Sequence, residues 1–377
     1  MRGDRAIGAR IFAMTTVSHP IHGGNLAWAA AIAHCAPSEI LDFSASIHPE
    51  GLPPNILAAL TAALPSLAAY PDPNYGELRR ALAQHHNLDP DWILPGNGAA
   101  ELLTWAARDL SQLAATVLPV PAFADYGRAL RAFGAKIVPI APVEPWVWDW
   151  GDWLNRDCAA YGLVLNNPHN PTGQLWSHDL LRPLCDRFGL VVVDEAFMDF
   201  LRPIEQPTVV NWVQDYPNLI VIRSLTKFYA IPGLRLGYAI AQPDRLTRWQ
   251  QWRDPWSVNG LAVAAALAAL ADRPFAEKTW TWLESARSEL FLGLQAQPGL
   301  IPYPSAANYL LVKTALPSNQ LQQQVLRRDR ILIRDCSSFP ELGDRFFRVA
   351  IRTTADHQRL LRSLQQAIRS PLSSCEK

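Results

Sequence analysis

Apolar and polar positions follow two rhythms along this chain. In the first 255 residues short apolar runs alternate with stretches of helical spacing. Ala115–Pro119, Lys136–Pro139, Tyr161–Asn166, Leu190–Val193 and Leu219–Ser224 read as strands of five residues or so. Pro53–Leu64, Glu77–His86, Ala99–Leu110 and Ala124–Phe133 read as helices, with Pro65 closing the first because proline offers no N–H to the next turn. This alternation predicts an α/β fold: a mostly parallel sheet covered on both faces. Beyond about residue 256 a long helical region gives way to short strands near Asn308–Val312 and Phe347–Ile351, which predicts a smaller α+β domain. The expected division is a disordered extension over residues 1–20, an N-terminal arm over 21–50, a large domain over 51–255 and a small C-terminal domain over 256–377. Met14 is a candidate for the real start codon, since recognisable pattern begins only near His22.

In a parallel sheet ligands gather beyond the carboxyl ends of the strands. Three predicted strands end there in polar clusters: Asn167–Thr172, Asp194–Glu195 and Ser224–Lys227. A lysine at such an end is partly stripped of water, which lowers its pKa and frees the amine to attack an aldehyde. Lys227 is that residue, and the neighbouring Ser224 and Thr226 hydroxyls with Arg235 suit a phosphate. Asp194 closes a Val-Val-Val run, where a carboxylate is costly unless something cationic meets it. Gly98, Ala99 and Ala100 open a helix and so expose backbone N–H groups to an anion. Phe123, just past a strand, offers a face for a flat ring, and Asn170 sits in an Asn-Pro-Thr-Gly turn. Singly, each has an ordinary alternative: a strand-end lysine, a helix cap or salt bridge, a loop-to-helix turn, a core aromatic, a turn asparagine.

Composition narrows the classes. The formal net charge is zero and 49% of residues are hydrophobic. Nothing in that balance favours nucleic acid or an anionic membrane as partner. Five cysteines without a CxxC pair argue against a disulfide framework or a metal site and suit a reducing cytoplasm. No apolar run reaches membrane-spanning length, and the basic start lacks the apolar centre of a secretory signal.

The order Gly-Ala-Ala, Asn-Pro-Thr-Gly, Asp-Glu-Ala-Phe, Ser-x-x-Lys, then an arginine eight residues on, resembles the fold type I pyridoxal-phosphate enzymes of the aspartate aminotransferase superfamily, from about His22 to Thr353. That resemblance implies a seven-stranded large-domain sheet and pyridoxal 5′-phosphate as cofactor. It implies Lys227 as the Schiff-base lysine, Asp194 as partner of the ring nitrogen, Asn170 beside the ring oxygen and substrate carboxylate, and Phe123 as the stacking aromatic. Gly98, Ala99, Ala100, Ser224, Thr226 and Arg235 would form the phosphate cup, and Tyr70 would reach the cofactor phosphate of a second subunit, so a homodimer with shared active sites is expected.

Longer strings, among them His22-Gly23-Gly24-Asn25, Ser224 to Tyr238, and Pro255-Trp256-Ser257-Val258-Asn259, resemble the threonine-phosphate decarboxylases of cobalamin synthesis, with the histidinol-phosphate aminotransferases next to them. The implied products are (R)-1-amino-2-propanol O-2-phosphate and carbon dioxide. Implied substrate anchors are His22, Gly23, Asn170, Arg334 and Arg348, with Arg352 a further candidate; which arginine meets which anion stays open. Phe197 stands where the aminotransferase pattern carries a tyrosine. Ser46 and His48 occupy two positions that are asparagine in the decarboxylase pattern. A histidinol-phosphate-type aminotransferase and a non-catalytic cofactor-binding protein are the alternatives.

Overall fold

The computed structural model describes residues 20–369. The extension expected over residues 1–20, with Met14, falls outside the described residues except for Pro20. Seven strands form the central sheet in the spatial order Ile93–Asn97, Leu236–Ile240, Leu219–Ser224, Phe188–Asp194, Cys158–Asn166, Ala115–Pro119, Ile137–Ile140. All pairings are parallel except the two made by Leu236–Ile240. That one reversed strand makes the sheet mixed.

The central strands are buried on both faces, so they read as continuous apolar runs rather than alternations. Val191 and Val193 face one core cluster while Leu190 and Val192 face the other. Leu219 and Val221 against Ile220 and Ile222 repeat that division on the next strand. Each such side chain contributes roughly 1.5–3 kcal/mol by leaving water.

Two strands escape the hydrophobic pattern. Ile93–Asn97 contains Pro95 and Gly96, and Leu236–Ile240 contains Gly237. Proline is tolerated because Ile93–Asn97 is the sheet's edge strand. The first helix also departs slightly from expectation. It runs Pro54–Ala63, and Pro65 tightens the chain into a 3₁₀ segment over Leu64–Ala68 instead of stopping it outright.

The C-terminal part begins with the helix Gly260–Ala271, capped by the Asn259 side chain on Ala262 N at 2.8 Å. Asp272 caps the following 23-residue helix, Arg273–Gln295, whose Thr279, Leu283, Ala286, Leu290 and Leu294 form one buried stripe. An antiparallel sheet in the order Arg334–Asp335, Phe346–Ala350, Tyr309–Thr314, Leu300–Pro302 lies behind it. The arm joins this part through a short parallel pairing of Leu41–Asp42 with Ile331–Leu332. Among the described residues no helix is long and apolar enough to cross a membrane.

Candidate active site

Strand register decides what meets at the rim. Asn166 pairs with Asp194, Asp194 with Ile222, Ser224 with Gly237, and Asn97 with Leu236. The carboxyl ends of the parallel strands therefore share one edge with the start of the reversed strand. That is why Arg235, which precedes a strand, stands beside Gly98 and Ser224, which end or follow theirs.

At this edge Gly98 has a φ of +74° and begins the helix Ala99–Leu110. A Cβ on Gly98 would lie 2.4 Å from Arg235 Nη2, so the guanidinium occupies the space a side chain would fill. Gly237 is equally constrained: its Cβ would lie 2.6 Å from Ala99 N. The Ser224 and Thr226 hydroxyls sit 2.8 Å apart, both buried. Helix N–H groups, two hydroxyls and a guanidinium thus converge as a cradle for a phosphate.

Lys227 is half-buried beyond the end of Leu219–Ser224, its Nζ 4.9 Å from the Phe197 ring centroid. Burial pushes its amine down to about 8; Asp194 opposes that shift, and Arg235 and Arg348 add to it. Asp194, Arg235 and Arg348 therefore all act on the Lys227 amine. His48 steadies the lysine backbone, its N–H donating to Lys227 O at 3.0 Å.

Asp194 is buried, and both its carboxylate oxygens accept hydrogen bonds. Tyr126 OH donates to Oδ2 at 2.6 Å and Ala196 N to Oδ1 at 2.9 Å. Burial raises its pKa, while the Tyr126 hydrogen bond and the Lys227 charge pull it back. Burial and the Asp194 charge in turn hold the Tyr126 phenol well above its ordinary range. Tyr126 escaped sequence reasoning. Its signal is the spacing Phe123-x-x-Tyr126, which puts both rings on one side of the helix start, 5.6 Å apart and edge-on.

The smaller antiparallel sheet sets two arginines opposite each other. Arg334 and Arg348 are cross-strand partners, 6% and 9% exposed, so two like charges sit buried side by side. Their hydrogen-bond acceptors are neutral. Arg348 donates to Asn170 Oδ1 and stacks 4.6 Å over Tyr309. Arg334 donates to the carbonyls of Pro20 and Ile21 and, at 2.6 Å, to Ser338 Oγ. Burial, then Arg348, pushes Arg334 down to about 10. Asn170 is fixed from behind by Asn166, whose Oδ1 accepts Asn170 N at 2.8 Å.

His22 lies 5.6 Å from the Phe123 ring, and burial followed by the Arg334 charge lowers its pKa. Gly23 lets this segment press onto the arm: its Cβ would meet Ser44 O at 2.3 Å.

Other candidates fall elsewhere. Arg352 is held by Asp356 at 3.1 Å and donates to Asp42 O, a local ion pair rather than a free anchor. Tyr70 is 79% exposed and stacks on Trp256 at 4.5 Å. His48 points toward the long helix: its Nε2 is 3.2 Å from Thr279 Oγ1, with the ring between Phe275 and Trp282. Ser46 Oγ is buried and has no hydrogen-bond partner among the described residues.

The aminotransferase class I and II profile matches residues 38–364. The chain belongs to the aminotransferase class I and II family. Threonine-phosphate decarboxylase of Salmonella typhimurium is 39% identical over 92% of this chain and 96% of its own length. Histidinol-phosphate aminotransferase of Symbiobacterium thermophilum is 36% identical over 88% of this chain and 91% of that protein. The crystal structure of L-threonine-O-3-phosphate decarboxylase from Porphyromonas gingivalis superposes with a TM-score of 0.78 at 26% identity, covering 88% of this chain and all of that one.

Pyridoxal phosphate is the cofactor of this aminotransferase class, and the residues at the rim suit it. The cradle at Gly98, Ser224, Thr226 and Arg235 has the donors a phosphate needs. A lowered amine is available for the aldehyde. A buried carboxylate whose partners are a hydroxyl and an amide has room for a pyridinium nitrogen.

Proposed function

We propose that this chain decarboxylates L-threonine O-3-phosphate to (R)-1-amino-2-propanol O-2-phosphate and carbon dioxide, in the cytoplasm, as a step of cobalamin synthesis. The observation that carries the reading is the Arg334–Arg348 pair, buried side by side with only neutral acceptors among the described residues. Such a pair is costly until anions arrive, and a phosphorylated amino acid brings two.

Bound in the cradle, pyridoxal phosphate supplies a ring that draws off the negative charge left at Cα when a bond there breaks. The residues of this chain do the rest. Gly98, Ala99, Ala100, Ser224, Thr226 and Arg235 hold the phosphate. Asp194, oriented by Tyr126, would pair with the ring nitrogen, and Phe123 would offer its face to the ring. Lys227 would be the residue that holds the aldehyde, and its Nζ would keep a proton for delivery to Cα in place of the departing carboxylate. An amine at about 8 can both hold and release that proton near neutral pH.

His22, Gly23, Asn170, Arg334 and Arg348 fix the substrate's two anionic ends, so remote binding energy decides which Cα bond is aligned for cleavage. Phe197 has no hydroxyl to offer the ring oxygen, which favours the decarboxylase reading over an aminotransferase. Tyr70, exposed beside Trp256, reaches the cofactor phosphate of a second copy in a homodimer.

The test is carbon dioxide release from phosphothreonine by the loaded enzyme, with Lys227→Ala as control. Release that the variant abolishes, together with its cofactor absorbance, supports the reading. Keto-acid-dependent consumption of histidinol phosphate without carbon dioxide would replace it with the aminotransferase.

A further inference from the structure

At the opposite end of the large sheet, where Phe188–Asp194 begins and the helix Ala99–Leu110 ends, lies a cavity of about 510 Å³. Arg108, Arg245 and Arg248 line it, with Asp109 as the carboxylate among its lining residues. Asp109 is already engaged: its Oδ2 accepts Arg245 Nη1 at 2.5 Å and Trp249 Nε1 at 3.2 Å. The lining therefore keeps about two positive charges unmatched. Arg245 is mostly buried at the cavity, its side chain 16% exposed, so its charge is held in place there. Arg108 lies flat on the Trp252 indole, 3.6 Å from its centroid. A stacked guanidinium stays fixed while its in-plane N–H groups remain available to an anion.

We infer that this cavity binds an organic phosphate of nucleotide size, at a site separate from the catalytic cleft. The net positive charge of the lining calls for phosphate oxygens. The volume exceeds what a bare phosphate needs and lies in the range of small-molecule pockets. Leu113 and Leu190 add an apolar wall for the body of the ligand.

The experiment titrates ADP, inorganic pyrophosphate and inorganic phosphate into the pyridoxal-phosphate-loaded enzyme, following heat and cofactor absorbance together. ADP is expected to bind once per chain without moving the cofactor spectrum, and more tightly than either inorganic anion. Arg248→Glu, on the exposed side, is expected to weaken ADP at least about tenfold while leaving turnover unchanged, the loss of a charged hydrogen bond. Arg245→Gln should do the same if it folds. No ADP heat up to millimolar concentration overturns the inference, as does ADP binding that both variants leave intact or that shifts the cofactor spectrum. Equal affinity for pyrophosphate and ADP overturns the nucleotide-sized ligand. A change in oligomeric state on Arg248→Glu, with no ADP binding by the parent, would mark a protein contact instead.

Discussion

Arg223 and Arg348 are both sunk into sheets beside the same cleft, yet they meet different company. Arg223 is 2% exposed and reaches Glu195 at 2.8 Å and Asp199 at 2.6 Å. Thr208 and Val209 N–H complete the Glu195 carboxylate. Burial alone would lower Arg223, but the two carboxylates overcome it and raise it above its ordinary value. Arg348 meets an asparagine, a tyrosine ring and another arginine, and burial lowers it. One cation is already neutralised and holds the sheet together. The other is kept short of counter-charge, so a ligand can provide what the protein withholds.

The strongest test of this contrast is on stability. Arg223→Met should cost about 3–5 kcal/mol, because it leaves buried Glu195 and half-buried Asp199 without their cation. Thermal melting of the cofactor-free protein would show it, and the double variant Arg223→Met/Glu195→Gln should recover part of the loss. Arg348→Met should leave the melting temperature unchanged or higher, yet lower kcat/KM about a hundredfold, in line with the roughly 2–5 kcal/mol lost when one side of a buried charge contact is removed. A melting loss as large as that of Arg223→Met would erase the distinction.

Tyr126→Phe is smaller, about 1–2 kcal/mol, read as roughly tenfold faster cofactor loss on dialysis. It also has a pH signature in the cofactor-free protein. The folded pKa of Asp194 is raised above its ordinary 3.8, so its stabilising contribution is present below that value and lost as pH rises through the folded pKa. Without the Tyr126 donor that loss should move to higher pH. Smallest at neutral pH is His48→Asn. Burial lowers His48 from 6.5 to about 4, so its contribution is full above 6.5 and disappears as pH falls through about 4. The variant's melting temperature should fall less steeply over that window; an unchanged slope would mean that the His48 ring is solvated.

Strands buried on both faces were legible in the amino-acid order because continuous apolar runs such as Leu190–Val193 have few other uses. Ile93–Asn97 and Leu236–Ile240 were not. Pro95, Gly96 and Gly237 argue locally against strands, and only edge position and the close approach of Ala99 explain them. The candidate site divides similarly. Residues at strand ends, such as Asn170, Asp194 and Lys227, carry their position in the chain order. Tyr126, Tyr309 and the backbone contact of His48 act through residues 68, 39 and 179 positions away, on Asp194, Arg348 and Lys227, and no local pattern encodes that. The opposition of Arg334 and Arg348 needs strand pairing as well, which spacing alone does not provide.

Because Leu236–Ile240 runs against its neighbours, the chain leaves the rim at Ser224 and returns to it by Leu236. The whole excursion works as a ruler: Lys227 and Arg235 sit near its two ends, eight residues apart. A change in its length would retune the gap between the Lys227 amine and the Arg235 guanidinium without touching either residue, so this short turn is where the reach of the site is set.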